Sequence, residues 1–185
     1  MSKVVVDVSM SLDGFAAGPN VRDAEPMGDG GERIHEWMEG SGLDARQAVD
    51  AAEIGAVIIG RRTFDLGVVP WGGTPWPGLA CFVVTHRPQA DVRADNGGTF
   101  AFDGLEAAVE RAKEAAGDKD VMVLGPQVTR ELLRAGLLDE LRLHIAPILL
   151  GGGTRLFDGD RAELIPDGEP VAAAATHLRF RIGKR

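Results

Sequence analysis

Four short runs in this chain are apolar almost throughout: KVVVDVSM at 3–10, AVIIG at 56–60, CFVVT at 81–85 and DVMVL at 120–124. A strand with one wet face alternates apolar and polar residues, whereas a strand apolar on both faces belongs in a sheet covered on both sides. Such sheets are built from parallel strands joined by helices. Helical patterns lie between or beside the runs: DARQAVDAAEI (44–54) behind an Asp44 N-cap, LEAAVERAKEAA (105–116), and QVTRELLRAG ending on Gly136 as a C-cap. TFAF (99–102) reads as a short strand and ELRLHIAPILL (140–150) as a strand broken by Pro147, and AAAATHLRFRIG (172–183) alternates like a final, half-exposed strand. Residues 22–42 read as a long loop with a helical turn around RIHEWME, and residues 151–160 as a Gly-rich loop. The expected architecture is α/β, with a mostly parallel central sheet, an antiparallel C-terminal strand and flanking helices.

At 185 residues the chain suits one well-buried domain over 1–185. No stretch approaches the roughly 18–20 apolar residues that span a membrane, and the N-terminus runs straight into a strand that contains Asp7. A cytoplasmic location is therefore expected. A net charge of −8 with scattered Lys and Arg excludes a nucleic-acid or anionic-membrane surface but not a pocket for a small anion. The single cysteine, Cys81, sits in an apolar run and reads as an inert core thiol. His35, His86, His144 and His177 lack metal-ligand spacing, and no metal is expected. His144 shares a strand face with Arg142 by alternation and reads as a satisfied sheet residue.

Chemistry is concentrated at strand ends. AVIIGRRTF brings Gly60, Arg61, Arg62 and Thr63 to one junction, and CFVVTHRP brings Thr85, His86 and Arg87 to another. VLGPQVT places Leu124, Gly125, Pro126, Gln127, Val128 and Thr129 where a strand meets a helix, with Pro126 suited to the first helical position. Free amides at such junctions hold anions, and α/β sheets bind ligands at this end. No G-x-G-x-x-G opens a helix after a strand, so a Rossmann domain of the usual kind is excluded. GGGTR (151–155) lacks the Lys-Ser/Thr of a P-loop, and no G-x-S-x-G elbow occurs.

The ordered set SLDGF, GRRTF, VVTHRP, VLGPQVTRELL and DELRLHIAPILLGGGTRLF resembles the dihydrofolate-reductase-like fold. More narrowly it resembles the reductase domain of bifunctional riboflavin-biosynthesis deaminase/reductases and its stand-alone relatives, over roughly residues 3–182. The resemblance implies a reductase that uses NADPH to deliver hydride to a C=N or C=O carbon of a small substrate, such as an aminouracil ribose phosphate or a pterin. Dihydrofolate reductase proper and a nucleotide-binding module without efficient turnover are the alternatives. By the same resemblance Gly60 to Thr63 approach the cofactor phosphates, and Thr85, His86 and Arg87 the adenosine 2′-phosphate. Leu124 to Thr129 wrap the pyrophosphate, while Ser9, Met10, Ala17 and Gly18 flank the nicotinamide. Many relatives carry Gly-Gly with a cis peptide where this chain has Gly125-Pro126; a cis Gly125–Pro126 bond is accordingly expected. Asp13 and Glu36 are the candidate proton-relay groups, with Glu32, His35 and Trp37 nearby, and Arg33 or Arg155 the candidate partners of a substrate phosphate. A homodimer is expected, as in many relatives.

Overall fold

Valine and isoleucine dominate the apolar runs because branching at Cβ suits a pleated, extended backbone. In the computed structural model, which describes residues 2–38, 53–67, 72–87 and 89–183, all four runs are strands. In chain order the elements are β1 (Val4–Ser11), β2 (Phe15–Ala17), a 3-10 helix (Gly31–Met38), β3 (Ile54–Gly60), α1 (Arg61–Gly67), β4 (Ala80–Val84), β5 (Val92–Arg93) and β6 (Thr99–Asp103). They continue with α2 (Leu105–Ala116), β7 (Asp120–Leu124), α3 (Pro126–Ala135), β8 (Glu140–Ala146), β9 (Thr154–Arg155), β10 (Leu164–Pro166), β11 (Val171–Ala172) and β12 (Thr176–Ile182).

The main sheet runs β10-β12-β8-β1-β7-β3-β4-β6-β5, with β11 on β12. From β8 to β6 every pairing is parallel; β12, β10, β11 and β5 pair antiparallel. β2 and β9 form a separate antiparallel pair. This is the mixed α/β architecture that the apolar runs imply. Ile54 opens β3 rather than closing a helix, Glu53 stands in a turn, and residues 44–52 of the expected 44–54 helix, with its Asp44 cap, lie outside the described residues.

Strand alternation gives the sheet two unlike faces. On one, Val4, Val6, Ile58, Val121, Val123, Leu141 and Leu143 pack beneath Val109 and Ala112 of α2 and Val128 and Leu132 of α3. The opposite face is apolar over β3, β4 and β6, where Val57, Ile59, Val83, Phe100 and Phe102 meet Phe64 of α1 and Trp76. Over β1, β8 and β12 that same face turns polar: Asp7, Ser9, Glu140, Arg142, His144, His177 and Arg179 occupy the alternate positions. A polar half-face on otherwise apolar strands is the feature that locates the site.

The turn between β7 and α3 corrects one expectation. The Gly125–Pro126 peptide is trans. Gly125 supplies the bend through φ 105° and ψ 134°, a region closed to side-chain-bearing residues, and Pro126 takes the first helical position, where no N–H is needed.

Candidate active site

A cavity of about 960 Å³ opens at the C-terminal ends of the parallel strands and runs over the polar half-face. Ten of the residues expected at a cofactor line it: Ser9, Ala17, Gly60, Arg62, Thr63, Leu124, Gly125, Pro126, Gln127 and Val128. A second recess of about 540 Å³ shares Gly60, Arg62, Gln127 and Val128 with the first and adds Arg61, Thr85, His86 and Arg87. The three strand-end junctions thus form one continuous path. Within it, Arg61 is held by Asp65 at 2.8 Å and by Gln89 at 2.6 Å.

The other three expected cofactor residues stand elsewhere. Met10 falls on the helix-covered face by alternation and packs against the core. Thr129 is buried, its hydroxyl donating to the Gly125 carbonyl at 2.8 Å. Gly18 is enclosed by backbone: its N–H donates to the Met27 carbonyl, and a Cβ there would lie 2.2 Å from the Asp29 carbonyl oxygen.

Neither expected proton-relay group is placed for that task. Asp13 accepts the Ser11 hydroxyl at 2.6 Å and the amides of Leu150 and Gly151 at 3.1 and 2.7 Å. The Ser11 hydrogen bond is the largest influence and, joined by these amides, outweighs the opposing desolvation to lower its carboxyl from 3.8 to about 2. It clamps the turn after β1 to the Gly-rich loop after β8. Because the folded value is depressed, the clamp is intact above the ordinary 3.8 and released only as pH falls toward about 2. Asp13→Asn is expected to speed hydrogen exchange at Leu150 and Gly151 at neutral pH, and unchanged exchange would refute the clamp. Glu36 is exposed and paired with Arg33 at 3.5 Å, on the side of the 3-10 helix away from the cavity. Its neighbours His35 and Trp37 face inward instead. Arg33 and Arg155 do not line the cavity; Arg155 lies 4.5 Å from the centre of the Phe15 ring. Burial pushes the Cys81 thiol up to about 12, which makes it inert.

The cavity floor holds a constellation that reading the sequence strand by strand did not assemble. His144 Nε2 stands 2.9 Å from Asp7 Oδ1, and His144 Nδ1 stands 2.6 Å from His177 Nδ1. Trp37 stacks on His144 with ring centres 4.6 Å apart and donates its indole N–H to the Ser9 hydroxyl at 3.0 Å. Burial first, and the field of His144 second, hold His35 below its ordinary 6.5 against the opposing pull of Glu32. The register explains the meeting: Ser9 and His144 are cross-strand partners, as are His144 and His177. The available signal was the shared alternation of Asp7-x-Ser9, Arg142-x-His144 and His177-x-Arg179, which becomes a cluster only once β1, β8 and β12 are known to be neighbours.

The family model of the RibD C-terminal domain matches residues 2–167. The chain belongs to the RibD C-terminal domain family. Its relatives include two uncharacterised proteins of Bacillus subtilis (strain 168). YwjB is 28% identical over 159 residues, covering 84% of this chain and 82% of that one, and YyaP is 25% identical over 164 residues, covering 84% and 80%. Among solved structures, a Shewanella sp. PV-4 protein ascribed to riboflavin biosynthesis superposes with a TM-score of 0.75 at 19% identity over the full length of both chains. A pyrimidine reductase-like protein of Corynebacterium diphtheriae gives 0.63 at 16% identity, covering all of this chain and 93% of its own. These superpositions establish that the fold is that of RibD-like reductases. The match to the RibD C-terminal domain stops short of β12, so His177 and Arg179 lie beyond the residues the family model covers.

Proposed function

We propose that this chain is a pyrimidine reductase-like oxidoreductase that uses NADPH to reduce a C=N or C=O carbon of a small substrate. The observation that carries this reading is the wall common to both recesses. There the first-turn amides of α3 at Gln127 and Val128, which have no acceptor within the helix, lie beside Gly60 and Arg62. The residues fit an extended anionic dinucleotide: a Cβ at Gly125 would stand 2.8 Å from the Thr63 hydroxyl, so only glycine lets the two strand ends close around the path. Arg62 and Gln127 would hold the pyrophosphate, Thr85, His86 and Arg87 the 2′-phosphate, and Ser9 and Ala17 the nicotinamide. The bound dinucleotide supplies hydride; the chain supplies orientation, water exclusion and a polar floor.

The substrate half of the cavity favours a planar heterocycle over a strongly anionic one. Arg142 is engaged by Glu140 at 2.7 Å and Arg179 lies 3.5 Å from the same carboxylate, so the floor cations already have a buried anion. Glu32 and Glu36 are exposed, which removes the acid that dihydrofolate reductase chemistry would need on the first helix.

Titration with NADPH and NADH in parallel, following tryptophan quenching and energy transfer to the reduced nicotinamide, tests the reading. Saturable NADPH binding with weaker NADH binding is expected, followed by NADPH oxidation with an aminouracil, pterin or small carbonyl substrate. Absence of binding by either dinucleotide would overturn it.

A further inference from the structure

Reduction of a C=N or C=O bond needs a proton at the heteroatom as well as hydride at the carbon, and neither Asp13 nor Glu36 is placed to give one. The Asp7–His144–His177 array is. A carboxylate only accepts hydrogen bonds, so His144 Nε2 carries a hydrogen toward Asp7. The two Nδ1 atoms, 2.6 Å apart, then share one hydrogen, donated by His177 when the pair is neutral. One further proton makes the pair a single imidazolium whose charge is opposed by Asp7 through His144. Hydrogen-bonded carboxylate–imidazole arrays of this kind set the tautomer and stabilise the imidazolium when it forms.

Position supports use as well as storage. Asp7, His144, His177 and Trp37 all line the cavity, and His144 is the cross-strand neighbour of Ser9. The charged and titratable groups around His144 are Asp7 on β1, Glu140 and Arg142 on its own strand, His177 and Arg179 on β12, and Glu32 and His35 on the 3-10 helix. Glu140 is occupied by Arg142, Lys3 and Arg179, and Asp7 is the carboxylate within hydrogen-bond reach of the imidazole.

We propose that Asp7, His144 and His177 form a proton relay that protonates the substrate heteroatom as its carbon is reduced, an inference that rests on the reductase reading above. The substrate carbon gains hydride, which carries both electrons, its heteroatom gains the proton, and the C=N or C=O double bond becomes single. The imidazole pair ends neutral and the dinucleotide oxidised. Solvent then returns the proton through His177, which is half-buried on β12. Both ring nitrogens of His144 are engaged within the array, by Asp7 and by His177, so His177 delivers the proton, and His144 and Asp7 are positioning residues.

Trp37 provides a readout that needs no substrate, because an imidazolium stacked on an indole quenches its emission. The emission that Trp37→Phe abolishes is expected to fall on acidification through a single midpoint. Asp7→Asn should move that midpoint down by about one unit, and His177→Gln, a change at the half-exposed end of the array, should move it too. Any of the test substrates that oxidises NADPH should then show kcat reduced about 10²–10³-fold in His177→Gln. In Asp7→Asn the alkaline limb of kcat should move by the same amount as the fluorescence midpoint, with the NADPH dissociation constant within about twofold of wild type. A midpoint that stays put in both Asp7→Asn and His177→Gln overturns the relay, whether or not a substrate has been found. Wild-type protein that binds no NADPH instead overturns the reductase reading, and the relay's role in reduction with it. NADPH binding with an invariant titration removes the relay alone.

Discussion

Glu140→Gln is expected to lower the melting temperature by about 10 °C at neutral pH and to flatten the acid side of the stability curve. The Glu140 side chain is 1% exposed and accepts Arg142 Nε at 2.7 Å and Lys3 Nζ at 3.1 Å, with Arg179 Nε at 3.5 Å. The glutamine amide keeps the shape and removes the charge, taking from the almost fully buried Arg142 guanidinium the carboxylate at 2.7 Å, with Asp120 Oδ2 4.0 Å away. Breaking one side of a buried pair costs about 3–5 kcal/mol, and each kcal/mol moves the midpoint of a domain this size by roughly 2–4 °C. Burial raises the Glu140 pKa, but the hydrogen bonds and charges of Arg142 and Lys3 outweigh it and leave the group below its ordinary 4.5. The stabilisation is therefore complete above 4.5 and lost as pH falls through the folded value. Melting curves from neutral pH to about pH 3 should converge for wild type and variant at the acid end. Lys3→Ala, which removes a partner that is 54% exposed, should shift the midpoint far less. Equal melting temperatures for Glu140→Gln and wild type would mean that the network contributes no net stability.

The same network shows why some of the molecule was legible in the sequence and some was not. β7 and α2 appear at the bounds the sequence implies, because an unbroken apolar run and an Ala-rich amphipathic helix are local patterns with local causes. Gly136 ends α3 in the left-handed conformation for the same reason. The gathering of these junctions around one cavity was legible too, since glycine, arginine and threonine after a buried strand fall at a strand end in any parallel sheet. β2, β5 and β9 to β11 are two or three residues long and exist only through their partners. Asp13 and Glu36 were chosen by residue type and neighbourhood. Asp13 was captured by a loop more than a hundred residues away, and Glu36 sits on the outer side of a 3-10 helix whose narrower turn a 3.6-residue period does not describe. His144 does have its hydrogen bonds satisfied, as its place in a strand suggested. Its partners come from β1 and β12, and only the strand order turns three separate alternations into one polar floor.

Gly125→Ala is expected to weaken NADPH binding by at least about tenfold and to destabilise the fold by roughly 1–3 kcal/mol, through two separable causes. The backbone at φ 105° and ψ 134° is strained for any side chain, whatever the space around it. The new Cβ would also lie 2.8 Å from the Thr63 hydroxyl, so the Thr63 side chain must turn or α1 and the start of α3 must part. Separating them moves Thr63 and Arg62 away from the Gln127 and Val128 amides that share the cavity wall. Gly60→Ala is the control for stability alone, since Gly60 lines the proposed path: its backbone carries no positive φ and its Cβ would meet only Val128 Cβ at 4.0 Å, an ordinary contact. Thr63→Ala in the Gly125→Ala background removes the clash and leaves the backbone strain. The double variant should therefore regain the part of the unfolding free energy that the clash accounts for and no more. Chemical unfolding and NADPH titration of the three variants read the two effects independently. If Gly125→Ala loses stability but binds NADPH within about twofold of wild type, the bend is a device of the fold alone and the dinucleotide path runs elsewhere. If both fall while Gly60→Ala keeps its stability, the glycine at this strand end is what allows two anion-binding junctions to act on one ligand.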